Sequence, residues 1–214
     1  MLAARVWDVD GTMAETERDG HRVAFNQAFE ALGLPWRWSV ERYAELLRVT
    51  GGRERLLHDL ASQADAPSTT AERERLAAAL HAEKNRRYGV IAEQGAIALR
   101  PGVQRLMAEA AAQGVQLAIA TTTSRVNLEA LLRRQIGPAW QERFAAVVCG
   151  EDAPVRKPDP QVYLRCLDGL QRDADEVLAI EDSPNGLAAG QAAGIATLVT
   201  RSLKFGSHPF DGAM

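Results

Sequence analysis

Two carboxylates lie two residues apart near the start of the chain, in the stretch Asp8-Val9-Asp10-Gly11-Thr12. The apolar residues before them predict a buried strand over Arg5–Val9, and the Gly-Thr turn ends it. Both acids can therefore reach one pocket at the carboxyl end of the strand, where open α/β sheets bind ligands. Because paired acids repel each other, one holds a proton or the pair holds a cation. A carboxylate nucleophile, a carboxylic acid and a divalent metal are what phosphoryl transfer through an aspartyl phosphate requires. The alternative interpretation is structural: Asp and Gly only form the turn that ends the strand.

Three later stretches place polar side chains where further apolar strands end. Thr121-Thr122-Thr123-Ser124 offers hydroxyls and backbone N–H groups at a strand-to-helix turn, which suits an anion, although these residues can also only cap the next helix. Lys157 can neutralise a phosphate or Asp8, with a solvated surface lysine as the alternative. Glu181-Asp182 can complete an oxygen-ligand site for Mg²⁺, unless Asp182 is simply an N-cap. Each signal is weak alone, but their order and shared position at strand ends predict one phosphate and metal site.

The elements that must bring these residues together alternate along the chain. Apolar runs predict strands at Arg5–Val9, Gln116–Ala120, Ala145–Cys149, Val177–Ile180 and Ala196–Val199. Helical patterns cover Gly102–Gln113, Asn127–Gln135, Pro160–Leu170 and Asn185–Ala193. This alternation predicts an α/β fold with a doubly wound parallel sheet. Residues 16–96 instead show helical periodicity and almost no strand signal, so they predict an inserted α-helical domain, with 1–15 and 97–214 forming the α/β core.

Composition argues against several classes of protein. A net charge of −3 over 214 residues gives no support for nucleic acid or a membrane surface as the main partner. No apolar stretch approaches the length of a membrane-spanning helix. Cys149 and Cys166 have no metal-ligand spacing and no disulfide pattern, so they predict buried thiols in a reducing compartment. No signal peptide is visible, and we expect a soluble, cytoplasmic, monomeric protein that acts on a small molecule.

The four stretches together resemble the motifs of the haloacid dehalogenase-like phosphohydrolases. Asp8-Val9-Asp10-Gly11-Thr12 is similar to their first motif, Thr121 to the second, Lys157 to the third and Glu181-Asp182 to the fourth. The helical insert looks like their small α-helical cap. The resemblance covers nearly the whole chain, and it implies a Rossmann-like core and phosphate-ester hydrolysis.

The resemblance also implies a role for each matching residue. Asp8 would be the nucleophile, and Asp10 would protonate the leaving oxygen and then act as base for the water that hydrolyses the aspartyl phosphate. Thr121 and Lys157 would hold the transferring phosphoryl group and offset its charge.

The same resemblance implies Mg²⁺ as the cofactor. The ion would be bound by the Asp8 carboxylate, the backbone carbonyl of Asp10 and Asp182, with Glu181 as a further ligand or in the second shell.

A narrower resemblance is to the CbbY group of this family. The stretches Glu15–Asn26, Thr50–Arg55 and Ala120–Ser124 look like that group, which includes phosphatases that remove xylulose-1,5-bisphosphate, a misfire product and inhibitor of Rubisco. We therefore expect a sugar-bisphosphate substrate, bound through polar and glycine residues of the insert and of the second motif. These are Glu17, His21, Thr50, Gly51, Gly52, Arg53, His81, Lys84, Thr122 and Arg125. The group commonly has Lys where this chain has Arg53, and the two are not interchangeable in phosphate contacts.

Within the insert, the residue types suggest how such a substrate is recognised. Gly51-Gly52 lets the backbone approach a ligand closely, and Arg53 adds charge. His81 and Lys84 share one helix face, and with Arg53 they favour binding of a second phosphate. Glu17 and His21 lie one turn apart, where contacts to sugar hydroxyls are expected.

Two alternatives share these sequence features. A phosphomutase of the β-phosphoglucomutase type would use all four motifs, but its aspartyl phosphate would survive long enough to be passed to another sugar. A non-catalytic sugar-phosphate binding module could use the same fold, since a fold does not fix a function.

Overall fold

The apolar runs of the sequence form the parallel strands that were predicted. The computed structural model describes residues 2–63 and 65–214. The strands are β1 (Ala4–Trp7), β2 (Gln116–Ala120), β3 (Ala146–Val148), β4 (Val177–Glu181) and β5 (Ala196–Val199). Within the described residues they form one five-stranded sheet in the order β3-β2-β1-β4-β5, and every pairing is parallel. The strand that precedes Asp8 is therefore the central one.

The rest of the described chain contains eight α-helices. In chain order they are α1 (Arg22–Ala31), α2 (Val40–Leu46), α3 (Gly52–Leu60), α4 (Thr70–Glu93), α5 (Val103–Ala112), α6 (Arg125–Gln135), α7 (Gln161–Leu170) and α8 (Pro184–Ala192). A π-helical turn, Glu17–His21, precedes α1. The chain divides into two compact units: Thr16–Ile97 is helical, and the segment up to Glu15 with Ala98–Met214 contains the sheet. This division falls one residue later than the boundary expected at residue 96.

The side chains of β1 point alternately to the two faces of the sheet, and both faces are covered by helices. Ala4 and Val6 are fully buried in an apolar cluster with residues of α7 and α8. Arg5, between them, points to the opposite face and donates from Nη1 to the carbonyl of Leu106 on α5, at 3.2 Å. The doubly wound α/β architecture expected from the sequence is thus confirmed.

The first strand is shorter at its carboxyl end than the sequence indicates. β1 stops at Trp7 rather than Val9. The backbone still continues beside β4 for one residue, because the Asp8 N–H donates to the carbonyl of Ile180 at 3.0 Å. Asp8 therefore lies at the end of the sheet, and the turn begins directly after it.

The helical unit has a core of its own. Phe25 and Phe29 of α1 pack on Trp38, with ring centroids 4.7 and 5.0 Å away, and leucines of α2, α3 and α4 complete the cluster. Trp38 donates from Nε1 to the buried carboxylate of Asp59 at 2.7 Å, which satisfies the indole N–H inside this core. The helical block predicted from periodicity is therefore a packed unit.

The longest of the described helices begins with a capping box. Thr69 is the N-cap of α4, and it exchanges hydrogen bonds with Glu72 in a capping box. α4 is also the longest helix described, and in the described residues no helix is both long and apolar enough to cross a lipid bilayer.

Candidate active site

The turn after Asp8 is closed by backbone hydrogen bonds to Val9. The N–H groups of Thr12 and Met13 donate to the Val9 carbonyl at 3.2 and 2.9 Å. Gly11 has φ +88°, a left-handed conformation that glycine adopts without strain. This tight turn leaves Asp8 buried at the sheet end and Asp10 partly exposed.

Gly11 is also where the fourth motif meets the first. A Cβ atom at this position would overlap the carboxylate of Asp182. Only a residue without a side chain leaves room for Asp182 to lie against the turn. The Gly in the first motif therefore has two physical causes, the backbone conformation and this close approach.

Three buried acids form a cluster at the carboxyl ends of β1 and β4. The carboxylate oxygens of Asp8, Glu181 and Asp182 lie within 4.8 Å of one another. Asp182 follows the last residue of β4, as Asp8 follows the last residue of β1. An all-oxygen donor set of this kind suits Mg²⁺.

Lys157 supplies the positive charge of this cluster. Its ammonium donates to Asp8 Oδ1 at 2.8 Å, to Glu181 Oε1 at 2.6 Å and to the backbone carbonyl of Ala120 at 2.9 Å. The Lys157 side chain is only 4 % exposed. The lysine thus joins the ends of β1, β2 and β4, and the alternative of a solvated surface lysine is wrong.

Glu181 differs from the other two acids because protein donors already occupy both of its oxygens. Oε1 accepts from Lys157 and from the Tyr163 hydroxyl at 2.6 Å, and Oε2 accepts from the Asp182 N–H at 3.2 Å. A Cβ atom on Gly186 of α8 would overlap this carboxylate, so glycine there makes room for it. These contacts favour a supporting role for Glu181 over direct metal ligation.

The environment shifts the acid–base equilibria of the nucleophile candidate and its partner. Burial, and then the nearby charge of Glu181, raise the pKa of Asp8 from 3.8 to about 7, although Lys157 opposes both effects. Burial alone would lower the pKa of Lys157, but the carboxylates of Asp8 and Glu181 outweigh it and hold the pKa above its usual range. The charge of Asp10 also raises the Asp8 pKa, so the two acids of the first motif are close enough to interact.

The hydroxyl-rich loop after β2 is bound into the same region. Thr121 is buried, and its Oγ1 accepts from the Thr123 N–H at 3.2 Å. Its own N–H donates to the carbonyl of Val148 at 3.0 Å, and the preceding carbonyl, of Ala120, is a Lys157 acceptor. Thr122 is partly exposed on this loop.

Arg125 is held by acids of the loop after β3. Its guanidinium forms an ion pair with Asp152, and its N–H donates to the carboxylate of Glu151 at 3.0 Å. Asp152 also accepts from the N–H of Cys149 at 2.7 Å. Substrate binding by Arg125 stays a prediction. In the structure this residue connects the loop after β2 with the loop after β3.

In the helical unit, the start of α3 lies beside α4. Gly51 has φ +97° and is the N-cap of α3. A Cβ atom on Gly52 would lie 3.1 Å from Nε2 of His81. Thr50 directly precedes these glycines and is partly exposed. Backbone N–H groups at a helix start and a histidine ring therefore meet at one place.

The two cations of the helical unit named above have different surroundings. Lys84 is buried, with its ammonium 5.3 Å from the ring centroid of Phe25 and 5.2 Å from that of Tyr88. Arg53 is half exposed and forms an ion pair with Glu74. Aromatic faces thus hold the Lys84 ammonium in place, whereas the half-exposed Arg53 is held by a carboxylate.

Glu17 and His21 lie at the two ends of the π-helical turn. The carboxylate of Glu17 accepts a hydrogen bond from the Tyr43 hydroxyl at 2.6 Å. The oxygen of this Tyr43 hydroxyl in turn accepts from Nη1 of Arg55 at 3.0 Å. His21 is buried and stacks on Tyr88, with ring centroids 4.2 Å apart. Helical turns of this type are frequent at functional sites.

Sequence reasoning missed residues that hold the predicted ones. Tyr163 and Arg55 are examples, and Arg100 is another: it donates to the carbonyls of Gly11 and Arg201, the latter at 2.6 Å. Tyr163 stands on the apolar face of a predicted helix, which gave the only available signal. Arg55 lies at the end of the stretch Thr50–Arg55 named above, and Arg100 carries no pattern that distinguishes it from a surface arginine.

Comparisons with known proteins match nearly the whole chain. The sequence profile of the haloacid dehalogenase-like hydrolases matches residues 3–194. The plasmid-encoded protein CbbY of Cupriavidus necator is 44% identical over 213 residues, which cover 100% of this chain and 84% of that protein.

Solved structures of CbbY from Rhodobacter sphaeroides extend the similarity to three dimensions. The complex with phosphate has a TM-score of 0.92 at 41% identity, over 100% of this chain and 92% of that one. A mutant in complex with xylulose-1,5-bisphosphate has a TM-score of 0.92 at 40% identity, over the same shares.

The raised pKa of Asp8 predicts how stability depends on pH. A carboxyl whose pKa rises on folding from 3.8 to about 7 stabilises the fold fully below pH 3.8, and that contribution is lost as the pH approaches 7. In metal-free protein, the stability gained by Asp8→Asn relative to the natural residue should therefore grow between these pH values and then level off. Urea unfolding of both proteins with a chelator present measures it, and a gap independent of pH would contradict it.

Proposed function

This chain belongs to the haloacid dehalogenase-like hydrolases, and within them to the CbbY group, and from that premise we propose that it hydrolyses a sugar bisphosphate through an aspartyl phosphate on Asp8. It is a phosphoric monoester hydrolase. The proposed substrate is xylulose-1,5-bisphosphate, and its hydrolysis would remove an inhibitor of Rubisco. Support for this substrate comes from the complex of that sugar with a mutant CbbY.

The observation that carries the mechanism is the sharing of the Lys157 ammonium between Asp8 and Glu181. A buried cation beside a buried carboxylate does two things that phosphoryl transfer needs. It offsets the charge of an incoming phosphate, and it keeps the nucleophile in one orientation before the phosphate arrives. Thr121, at the neighbouring strand end, would donate to the same phosphoryl oxygens.

The reaction follows in two displacements. The Asp8 carboxylate attacks phosphorus, and the bond to the sugar oxygen breaks while Asp10 delivers a proton to that oxygen. Asp10, now ionised, takes a proton from water, which attacks the phosphorus and releases inorganic phosphate and free Asp8. Lys157 and Thr121 offset the phosphoryl charge in both steps.

The acids of this site fit a magnesium ion. Asp8 and Asp182 present carboxylate oxygens within 4.8 Å of each other, and Gly11 leaves the space for Asp182. These two side chains, with the backbone carbonyl of Asp10, would hold the ion. When bound, it supplies positive charge that brings the anionic phosphate to an anionic nucleophile.

The helical unit is proposed as the cap that recognises the second phosphate. Lys84 is buried between aromatic rings, and the N-terminus of α3 offers backbone N–H groups beside His81. Glu17 and His21 are proposed to bind sugar hydroxyls. Binding of the remote phosphate would supply energy that orients the reacting one.

Removal of the nucleophile should abolish turnover. Asp8→Asn keeps the size of the side chain, and Lys157 retains Glu181 and Ala120 as partners, so we expect a folded protein that releases no phosphate above background. Asp168→Asn, an exposed change on α7, is the matched control and should keep full activity. Substantial phosphate release by pure Asp8→Asn protein would refute the covalent mechanism.

Activity should depend on a hard divalent ion. We expect that excess chelator removes phosphate release and that Mg²⁺ restores it, because the acid cluster contains only oxygen ligands. Asp182→Asn should raise the Mg²⁺ concentration needed for half-maximal activity. Full activity in excess chelator would be incompatible with this proposal.

Bisphosphate selectivity should depend on the cations of the helical unit. Lys84→Met and Arg53→Ala should each lower kcat/KM for xylulose-1,5-bisphosphate about 10- to 100-fold, the scale of ~1.4–3 kcal/mol for a charge-assisted contact. p-Nitrophenyl phosphate, which lacks a second phosphate, should be affected far less.

Arg87→Ala is the matched control for this prediction, since Arg87 lies one turn beyond Lys84 on α4 and is paired with Glu83 at 2.6 Å. It should leave both substrates unchanged. Equal losses on the two substrates for Lys84→Met and Arg53→Ala would mean that these residues serve folding or the chemical step.

A further inference from the structure

Tyr163 of α7 has its hydroxyl inside the buried network around Lys157. The hydroxyl donates to Glu181 Oε1 at 2.6 Å, the same oxygen that accepts from Lys157 at 2.6 Å, and Lys157 also donates to Asp8 at 2.8 Å. We propose that Tyr163 is a positioning residue for the reaction: its hydroxyl holds Glu181 so that the Lys157 ammonium stays on Asp8, beside the incoming phosphate. This inference rests on the role of Lys157 in the proposed function.

Two buried carboxylates compete for one cation in this network. Asp8 and Glu181 are both buried carboxylates, and both are hydrogen-bonded to the single ammonium of Lys157. A carboxylate that lacks other donors attracts such a cation more strongly, because nothing else offsets its desolvation. The Tyr163 hydroxyl satisfies part of that need at Glu181. It therefore shifts the ammonium toward Asp8, where phosphoryl transfer takes place.

Burial makes the hydroxyl difficult to replace. Tyr163 and Glu181 are both 0 % exposed, so removal of the hydroxyl group leaves a carboxylate oxygen without access to bulk water. Without the hydroxyl, Glu181 Oε1 would keep Lys157 as its donor and would attract the ammonium more strongly. Hydrogen bonds of this kind depend on one another in a site of low polarity.

The ring of Tyr163 has a separate contact with the lysine. The Lys157 ammonium lies 5.1 Å from the ring centroid, within the range of a cation–π interaction. Tyr163→Phe keeps this ring and its packing and removes only the oxygen. The substitution thus isolates the hydroxyl from the aromatic contact.

The first test compares Tyr163→Phe with the natural protein on p-nitrophenyl phosphate. We expect kcat to fall about tenfold, as for loss of a hydrogen bond to a charged group, with KM within about twofold and little change in melting temperature. Val162→Ala is the matched control, because it removes buried apolar atoms from the position directly before Tyr163 in α7. It should lower the melting temperature and leave kcat unchanged. A Tyr163→Phe enzyme with kcat within about twofold of the natural value, or an equal kcat loss in Val162→Ala, would overturn the inference.

A double-mutant cycle then tests whether the hydroxyl acts through the lysine. In a Lys157→Ala background, Tyr163→Phe should cause no further loss of residual activity, because the cation that it positions is gone. Independent, additive losses would show that Tyr163 acts elsewhere. Natural activity in Lys157→Ala alone would contradict the proposed function itself, whereas an impaired Lys157→Ala with an unimpaired Tyr163→Phe would contradict only this inference.

Discussion

One buried ammonium shared by two buried carboxylates is the interaction on which this site depends. Asp8 and Glu181 come from adjacent strands, and without Lys157 their charges would be desolvated and repel each other at short range. The parallel pairing of β1 with β4 brings these acids to one edge of the sheet. The loop before α7 places Lys157 between these acids. The parallel pairing thus brings the two acids together, and the lysine offsets the repulsion between them.

Two glycines leave the space in which the carboxylates of Glu181 and Asp182 lie close to the backbone. Gly11 and Gly186 each stand where a Cβ atom would overlap a carboxylate, that of Asp182 in the first case and that of Glu181 in the second. At these two points the acids pack directly against the glycine backbone. This close approach explains why the carboxylates can converge while the surrounding strands remain regular.

The core of this arrangement could be predicted from sequence because each motif residue follows an apolar run. Parallel strands that end together must bring Asp8 and Asp182 to one edge, and the loop that follows β3 starts at the same edge and carries Lys157. The pairing of Arg53 with Glu74 and of Arg125 with Asp152 could not be predicted, since periodicity gives a helix face but not the carboxylate within reach. The supporting role of Tyr163 could not be predicted for the same reason, because it depends on a tertiary contact with Glu181.

In the proposed mechanism, a phosphoryl group resides on Asp8 during turnover. Asp10→Asn removes the base for hydrolysis of the intermediate, and p-nitrophenyl phosphate needs little protonation of its leaving group. Rapid acid quenching of this variant with that substrate, followed by mass spectrometry of the peptides, should place a phosphoryl adduct on the peptide that contains Asp8. Release of phosphate without any such adduct would contradict the covalent mechanism.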